Sequence, residues 1–475
     1  MQYSIVKFKE VLVDNDIFRF DADYFYPKSY NLYKAIKNKK HLRVKESFNV
    51  TKLAGFEYTK YFTDPNINSE NFYIVLTSKN IQNEELVLNE FLKIDKKIAD
   101  DFLRRSKLRR GDVVLSYTGE YRRALVLEEN DLQLGPNICL VRSKRKNINV
   151  YYLSTFLNSN AGQLLLDREK TLSAQPTVAM SRIREIPVPA LDIDLQNQIG
   201  EIITLSKIKR KLANELYSEA EQFLLSELWL LDWKPKHELA FVKNFLDTKE
   251  SNRFDAEYFQ PKYEEIVDTV KKYKGGFDEL ENLIKIKDKN FTPKNNEQYK
   301  YIELANISSN GEINGYTENF GNELPSRARR KVQKGDLIVS SIEGSLESIA
   351  LITEDWENAL CSTGFFVVNS DKINSETLLV LLKTRVGQLQ LKRGCKGTIL
   401  TAIGKDELSK IVLPKIDSKT QEEIRRKIAE MYETKKLSKS LLEIAKRGVE
   451  MAIEKDEREA EKWIESEIER LGVKI

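Results

Sequence analysis

Apolar residues recur along two stretches of the chain at steps of three and four, the spacing that places side chains on one face of a helix. The first stripe occupies positions 195, 199, 202, 205, 208, 212, 216, 220 and 223. The second follows a predicted capping box at Ser418 and Gln421 and occupies positions 424, 428, 431, 441, 444, 449 and 453. Neither helix can bury such a stripe alone, so we predict that the two helices pack on each other. Packing of each helix on its own globular domain is the alternative.

Shorter apolar runs, rich in β-branched and aromatic residues and bounded by turn formers, predict strands. They are "DVVLSY" (112–117) and "NICLVR" (137–142) in the first half, and "DLIVSS" (336–341) and "GFFVV" (364–368) in the second. Between the strands, helical periodicity returns in "VYYLSTFLNSNAGQLLL" and "SETLLVLLKTRVGQLQL". Each half therefore contains a predicted mixed α/β domain.

The two halves repeat the same segments in the same order. "RFDADYFYPKSY" (19–30) and "RFDAEYFQPKYE" (253–264) are identical at eight of twelve positions, at an offset of 234 residues. "GQLLL" (162–166) matches "GQLQL" (387–391) at an offset of 225. A tandem duplication of one two-part unit explains the order. It predicts globular domains over 1–190 and 236–415, a spacer helix over 191–235 and a second spacer helix over 416–475.

The repeated opening is expected to serve structure. Phe20, Tyr24 and Phe25 are predicted to anchor the entry to the domain, and Arg19 to pair with Asp21 or Asp23.

Composition narrows the class of protein. Of the 475 residues 32% are charged, which long exposed helices would explain, and the net charge is only +4. Three dispersed cysteines predict no disulfide framework and favour a reducing cytoplasm. Neither a signal peptide nor a membrane span is expected.

The sequence offers few parts for catalysis. "GTILTAIGKD" (397–406) does not match a phosphate-binding loop, and no Gly-x-Gly turn for a nucleotide cofactor follows a strand. Two histidines give little support for a catalytic pair or a zinc site. A scattered carboxylate pair of the kind found in nucleases stays open. The expectation is a chain without a catalytic centre, a metal site or a cofactor of its own.

Basic and polar clusters recur at related positions in the two halves, in predicted loops. Loop Lys and Arg neutralise phosphates, while Arg, Gln and Ser contact base edges. The predicted DNA contacts are Lys79, Arg104, Arg105, Arg109, Arg110, Arg122, Arg123, Lys170, Ser173, Gln175, Thr177 and Arg182 in the first half, and Arg327, Arg329, Arg330, Lys331, Arg393, Lys396, Thr398 and Lys405 in the second.

The chain resembles the DNA-specificity (S) subunit of Type I restriction–modification systems over nearly its whole length. The resemblance lies in the doubled "RFDA(D/E)YF" openings, "KGDLIVSSIEGSLESIALI" (334–352), the "IPVPALDIDLQNQI" junction (186–199) and "AKRGVEMAIEKDEREA" (445–460). It departs from the family in the loop before the second junction, where "KGTILTAIG" (396–404) has neither Gln nor Asn.

The resemblance implies an α+β fold with two target-recognition domains separated by two long helices, packed as an antiparallel coiled coil with pseudo-twofold symmetry. Each domain would bind half of a bipartite, asymmetric double-stranded DNA site. Two modification subunits, with S-adenosylmethionine, and restriction subunits, with ATP and magnesium, would be the catalytic partners. The alternatives are a specificity-like chain of another defence system, a self-contained DNA-modifying enzyme, and a coiled-coil scaffold that binds only proteins.

Overall fold

A computed structural model describes residues 6–13, 19–82, 84–118, 123–144, 148–171, 174–308, 310–397 and 401–475. The first copy of the repeat and the helix after it consist, in chain order, of α1 (Phe8–Val13), α2 (Pro27–Lys37), β1 (His41–Arg43), α3 (Val44–Ser47), β2 (Phe48–Lys52), α4 (Gly55–Tyr61), α5 (Asp64–Ile67), β3 (Phe72–Leu76), β4 (Ile81–Gln82), β5 (Glu85–Leu86), β6 (Leu92–Asp95), α6 (Lys96–Phe102), β7 (Lys107–Leu108), β8 (Val113–Ser116), β9 (Ala124–Val126), β10 (Leu132–Leu134), β11 (Ile138–Ser143), α7 (Val150–Asn158), α8 (Asn160–Glu169), α9 (Met180–Glu185), β12 (Pro187–Pro189) and α10 (Ile193–Glu227).

The second copy follows the same plan. Its elements are α11 (Phe245–Ser251), α12 (Pro261–Lys271), β13 (Phe277–Glu279), α13 (Leu280–Leu283), β14 (Lys285–Ile286), β15 (Gln298–Ile302), β16 (Thr317–Phe320), β17 (Ala328–Lys331), β18 (Leu337–Ser340), β19 (Ile349–Leu351), β20 (Leu360–Ser362), β21 (Phe365–Asn369), α14 (Ser375–Lys383), α15 (Arg385–Arg393), β22 (Cys395–Lys396), β23 (Ala402–Ile403), α16 (Lys405–Ser409), β24 (Val412–Pro414), α17 (Ser418–Glu454) and α18 (Glu457–Arg470).

The chain divides into two compact units. The first unit comprises 1–209 and 436–475, and the second comprises 210–435. The unit boundaries fall inside α10 and α17, so each unit contains one globular part together with a portion of both long helices. The C-terminal region contains two helices, α17 and α18, where the sequence predicted one spacer helix over 416–475. Asp456 separates them because its side chain caps α18 through the backbone N–H of Glu459.

The globular part of the first unit contains two four-stranded sheets. One sheet packs with the long helices α10 and α17, and we call it the inner sheet; its order is β2-β11-β8-β9. The other, which we call the distal sheet, has the order β6-β3-β10-β7. In the distal sheet, β3 and β10 are parallel and the other pairs are antiparallel. A two-stranded pair, β1 with β12, joins the start of the domain to the segment before α10.

The second unit has the same sheets in the same order. Its inner sheet is β14-β21-β18-β19 and its distal sheet is β16-β15-β20-β17, with β15 and β20 parallel. β13 pairs with β24 before α17. The predicted duplication is therefore confirmed at the level of strand order, and the predicted strands of each half pair with each other as β8 with β11 and β18 with β21.

The long helices contact each other within each unit. In the first unit, the Ser206 hydroxyl donates to the carbonyl oxygen of Ser438 at 2.8 Å, and the Ser438 hydroxyl donates to that of Ser206 at 2.7 Å. Nearer the start of α10, the backbone N–H of Asp192 donates to Glu457 at 2.8 Å. The segment at the start of α10 therefore contacts the segment that follows α17, while the middle of α10 contacts the middle of α17. The two helices run antiparallel. The predicted fold class, α+β with duplicated globular parts and an antiparallel helix pair, is confirmed.

The buried face of α17 follows the predicted stripe, but that of α10 departs from it in the middle. Every predicted apolar position of α17 is buried, from Ile424 to Ile453. In α10, Ile208 is 57% exposed and Leu212 and Phe223 are also exposed, contrary to the prediction. Near Ile208 and Leu212 the smaller residues Ser206 and Ala213 are buried instead, and Ser206 contacts Ser438 of α17.

The predicted helices over 150–166 and 375–391 are each interrupted. Ser159 ends α7 and caps α8, its hydroxyl accepting the backbone N–H of Gly162 at 3.3 Å. Thr384 separates α14 from α15 at the matching position. The helical spacing of apolar residues continues across the turn. For this reason the sequence predicted one helix where the structure has two consecutive helices.

The start of α17 differs from the predicted capping box. Asp417, not Ser418, caps the helix, accepting the backbone N–H of Lys419 and of Thr420 at 3.0 Å. The hydrogen bond from Thr420 holds the pKa of the Asp417 carboxyl below its ordinary value. Gln421 instead accepts the backbone N–H of Asn374 at 2.9 Å.

Candidate nucleic-acid interface

In the first unit the opening motif holds the loop that follows α8. The Arg19 guanidinium donates to both carboxylate oxygens of Asp21, at 2.6 and 2.8 Å, and to the carbonyl oxygen of Lys170 at 2.9 Å. Asp21 also accepts the backbone N–H of Tyr24 at 3.0 Å. The predicted pairing of Arg19 is therefore confirmed for Asp21, and the pair fixes the first residue of the loop.

The second unit repeats this arrangement of an arginine bound to an aspartate and to a loop carbonyl oxygen, which we call the clamp. Arg253 donates to both oxygens of Asp255 at 2.6 Å and to the carbonyl oxygen of Cys395 at 3.0 Å. Its guanidinium lies 4.5 Å from the ring centroid of Tyr258, a cation–π distance. Two copies of one motif thus position two equivalent loops.

The aromatic residues of the motif divide between core and surface. Tyr24 and Phe25 are buried, as predicted. Phe20 was predicted to anchor the domain but is 67% exposed, and Phe254 in the second copy is 74% exposed. The reason is local, since the arginine and the aspartate on either side of the phenylalanine bind each other and leave its ring outside the turn.

The clamped loops are fixed at their far ends as well. In the first unit Thr118 bridges Thr177, and Lys170 bridges Val178. In the second unit β22 pairs with β23, and Ile342 bridges Ala402. Among the predicted contacts, Lys170, Gln175 and Thr177 belong to the first loop and Lys396 to the second, and Gln175 is exposed.

One basic cluster of each half, 103–110 in the first and 326–331 in the second, lies at the equivalent edge of its distal sheet. β7 is the last strand of the first distal sheet, and β17 occupies that place in the second. Arg104 and Arg105 precede β7 and Arg109 and Arg110 follow it, all four exposed. This agrees with the expectation that the clusters occupy related positions in a duplicated fold.

The edge strand of the second unit is itself basic. Arg327 is exposed just before β17, and the register shifts at Arg329 within the strand. Arg330 donates to the carbonyl oxygen of Asp288, and the Lys331 ammonium lies 5.2 Å from the ring centroid of Phe291. Arg327 and Lys331 therefore present their charge at the surface.

A polar cleft of about 450 Å³ lies beside the distal sheet of the first unit. The residues that line it are Ser78, Lys79, Gln82, Val87, Asn89, Glu90 and Arg123. Arg123 donates to the carbonyl oxygen of Ile81 at 2.8 Å, and burial lowers the pKa of its guanidinium. Two predicted contacts, Lys79 and Arg123, are thus brought together with amide and hydroxyl groups suited to hydrogen bonding.

Several predicted contacts have acidic neighbours. Arg105 lies 3.0 Å from Glu57 while its own side chain is 74% exposed. Lys396 pairs with Glu407 at 3.0 Å, and Lys405 pairs with Asp288 at 2.5 Å and lowers the pKa of that carboxyl. The side chains of these three cations are themselves more than half exposed, so a phosphate can reach each of them.

Two further members, Arg182 and Arg393, occupy more internal positions, whereas Arg104 is exposed and makes a local contact. Arg182 donates to Glu169 at 2.6 Å and to the Tyr24 hydroxyl at 3.2 Å, inside the first unit. Arg393 lies 4.7 Å from the Tyr258 ring centroid. The Arg104 side chain donates to the carbonyl oxygen of Asp100 at 2.6 Å. The predicted contacts Arg122, Ser173 and Thr398 lie outside the described residues.

Sequence reasoning missed several polar residues of the cleft. Ser78, Gln82, Asn89 and Glu90 line it but belong to no basic cluster. A signal was present in Asn80, whose side chain donates to the carbonyl oxygens of Val87 and Glu90 and thereby shapes the segment. Asn306 holds the matching turn in the second copy by accepting the backbone N–H of Glu303 at 2.8 Å.

Two further features to consider are a metal-ion site and a membrane-spanning helix. Over the part of the chain that the structure describes, no group of three or more His, Cys, Asp or Glu residues is placed to hold a metal ion. Within the same residues, no helix combines the length and apolarity that crossing a bilayer requires.

No protein-family model and no curated protein match the chain. Among solved structures, it is similar to the S subunit of a Type I restriction–modification system from M. genitalium, with 10% sequence identity, 87% of this chain and 94% of that chain covered, and a TM-score of 0.41. It is also similar to the HsdS subunit from Thermoanaerobacter tengcongensis, with 14% identity, 88% and 97% coverage and a TM-score of 0.29. A third similar chain comes from a structure described as showing complex assembly and conformational transition of the type I R-M system, with 14% identity, 90% and 97% coverage and a TM-score of 0.28.

Proposed function

We propose that this chain is the DNA-specificity subunit of a Type I restriction–modification complex. The observation that carries the proposal is the duplicated surface, in which each unit has a distal sheet with a basic edge and a loop clamped by the opening motif. Each surface would bind one half of a bipartite duplex site. The half-sites would differ in sequence because the loop residues differ between the copies.

In this proposal the exposed cations hold the duplex and the clamped loops contact the bases. Arg105 and Arg109 in the first unit, and Arg327 and Lys331 in the second, would neutralise phosphates. Gln175 carries an amide that can bind a base edge in the major groove.

The helix pair would set the gap between the half-sites in a pseudo-twofold arrangement and dock two modification subunits. S-adenosylmethionine would bind to those subunits, and ATP and magnesium to the restriction subunits. This chain would supply recognition alone, without a catalytic residue, metal or cofactor of its own.

Binding-site selection from a duplex library with two randomised half-sites and a variable gap tests the proposal. The purified chain, alone and together with the products of its neighbouring genes, is expected to select two unlike sequences at one gap length. Recovery of random sequence by both preparations would contradict the proposal. Specific binding of S-adenosylmethionine by the chain alone would favour a self-contained enzyme.

Neutralising exposed cations is expected to weaken the two half-sites separately. Arg327→Ala with Lys331→Ala should weaken binding of the second half-site and lower the slope of log affinity against log salt by about 2, because two cations that neutralise phosphates are removed. Arg105→Ala with Arg109→Ala should act in the same way on the first half-site. Fluorescence anisotropy over a salt series measures both, and Lys462→Ala on α18 is the control with an unchanged slope.

A further inference from the structure

Within each unit, a hairpin at the distal sheet contacts α17. In the first unit the hairpin is β4 with β5, and Glu84 at its turn lies 2.6 Å from Lys446. Both side chains are about one-fifth exposed, at 20% and 19%. Glu84 has a φ of 63°, a left-handed conformation that favours glycine, so the turn holds this glutamate against a backbone preference.

The second unit forms the same contact with different residues. Its hairpin spans 307–313, closed by a bridge between Ile307 and Ile313. Glu312 lies 2.7 Å from Lys435 of α17, with side chains 14% and 8% exposed. The Tyr432 hydroxyl donates to the carbonyl oxygen of Gly311 at 3.0 Å, so a second residue of α17 binds the hairpin.

α10 takes part as well in the second unit. The side-chain amide of Asn310 donates to the Asn214 side chain at 3.0 Å. The hairpin of this unit therefore binds both long helices, through an ion pair and two hydrogen bonds.

These contacts are important because the distal sheets have apolar cores separate from the helices. The core of the first distal sheet includes Ile81 and Leu108, and that of the second includes Ile302 and Ile313. Both cores also contain residues of the inner sheets, among them members of β8 and β18, so each distal sheet packs on the inner sheet of its unit. The helices α10 and α17 pack with the inner sheets through separate cores. Apolar packing thus joins the helices to the inner sheet and the inner sheet to the distal sheet, while the hairpins form direct polar contacts between the distal part of each unit and the helices.

We propose that the two hairpins are orientation latches, which fix each distal sheet, with its basic edge strand, at one angle on the spacer helices. Glu84 and Lys446 are the positioning pair of the first unit, and Glu312, Lys435 and Tyr432 those of the second. The copies have kept the latch while using lysines at different places on α17. The effect of the latches on DNA gap choice rests on the proposed function, but their effect on geometry does not.

A distance measurement within the second unit tests the geometry without DNA. Spin labels are placed at Glu318→Cys in β16 and Ala429→Cys in α17, two exposed positions. The natural cysteines are buried, and burial raises the pKa of Cys139 to about 12 and of Cys395 to about 11, so they resist labelling. Double electron–electron resonance spectroscopy then measures the distribution of distances between the two labels in the full-length chain.

Lys435→Glu and Glu312→Lys are each expected to broaden the distance distribution by roughly twofold, since a buried ion pair becomes a repulsive pair. The double variant should restore the narrow distribution, and Tyr432→Phe should give a smaller broadening without a charge change. Lys427→Glu is the matched control on α17, because Lys427 pairs with the exposed Glu219 and not with a hairpin. Circular dichroism confirms that each variant is folded.

Folded single variants with the wild-type distribution would overturn the latch, as would a double variant that stays broad. Selection from the variable-gap library adds the functional consequence, with loss of the single gap length in the single variants and its return in the double. If the wild-type chain selects no sequence, the proposed function fails while the distance measurement still decides the latch. If the half-sites are selected but the gap of the single variants is unchanged, the latch has no part in gap choice.

Discussion

Inserting seven residues into both long helices is expected to lengthen the gap between the selected half-sites by up to about three base pairs, while leaving the half-site sequences unchanged. Two helical turns add roughly 10 Å, and base pairs lie ~3.4 Å apart along the duplex. Seven residues also preserve the seam between the helices, because the apolar positions of a coiled coil repeat at that interval.

The insertion points follow from the contacts of the helix pair. Ser206 faces Ser438 in the first unit, and Glu219 faces Lys427 in the second. The insertions are placed after residue 209 in α10 and after residue 435 in α17. These positions are also where the compact units divide, so both insertions leave the internal contacts of each unit in place.

An insertion in α10 alone is the control. It offsets one helix against the other and should abolish selection of a single gap length. Sequencing of selected duplexes from the variable-gap library measures all three proteins. An unchanged gap in the doubly lengthened chain, with both half-sites still selected, would show that the helices do not act as the ruler.

Gly162→Ala and Gly387→Ala are each expected to reduce the free energy of unfolding by about 3 kcal/mol, because an added methyl group would overlap the preceding helix. A Cβ at residue 162 would lie 2.0 Å from the carbonyl oxygen of Phe156 and 2.7 Å from Leu157 Cα. At residue 387 it would lie 2.4 Å from Leu382 Cα. These are backbone atoms, which cannot rotate away as a side chain can.

Urea unfolding followed by circular dichroism measures the change. Gly55→Ala and Gly404→Ala are matched controls, since a Cβ at either position meets nothing within 4 Å, and their effect should remain within about 0.5 kcal/mol. Equal stability of Gly162→Ala and Gly55→Ala would mean that the helices separate at little cost. Because the two glycines lie in different units, each variant should destabilise its own unit first.

The duplication was visible in sequence because the repeated residues perform local tasks. Arg19 and Asp21 lie two residues apart, so their pairing needs only the turn that contains them, and the second copy repeats it. The strand pairs were equally accessible, since β8 with β11 and β18 with β21 are buried apolar runs bounded by turn formers.

Predictions failed where a neighbouring element decides exposure. Ile208 and Leu212 fit the helical stripe but are exposed in α10, where the smaller residues Ser206 and Ala213 are buried instead. Phe20 has the composition of an anchor, yet the ion pair of its neighbours leaves it outside. In both cases periodicity or composition describes one segment, and burial depends on the other segment that covers it.

The candidate interface shows the same division between local and long-range information. The clustering of cations in two halves was evident from sequence, and one cluster of each half, 103–110 and 326–331, lies at the edge of a distal sheet. The cleft that joins Lys79 to Arg123 was not evident, because 43 residues separate the two along the chain. Whether Arg182 is turned inward also depends on Glu169 and Tyr24, which reach it only in the folded unit.

By itself, the sequence determined that this protein consists of one α/β unit written twice, each followed by a long amphipathic helix, because strand runs, helical stripes and repeated motifs depend on neighbours in the chain. Only the tertiary structure decided which faces of the helices are covered, which cations remain at the surface, and that Glu84 and Glu312 reach lysines of α17. Those contacts join residues more than one hundred positions apart. Their energies arise from burial and pairing, which no local pattern contains.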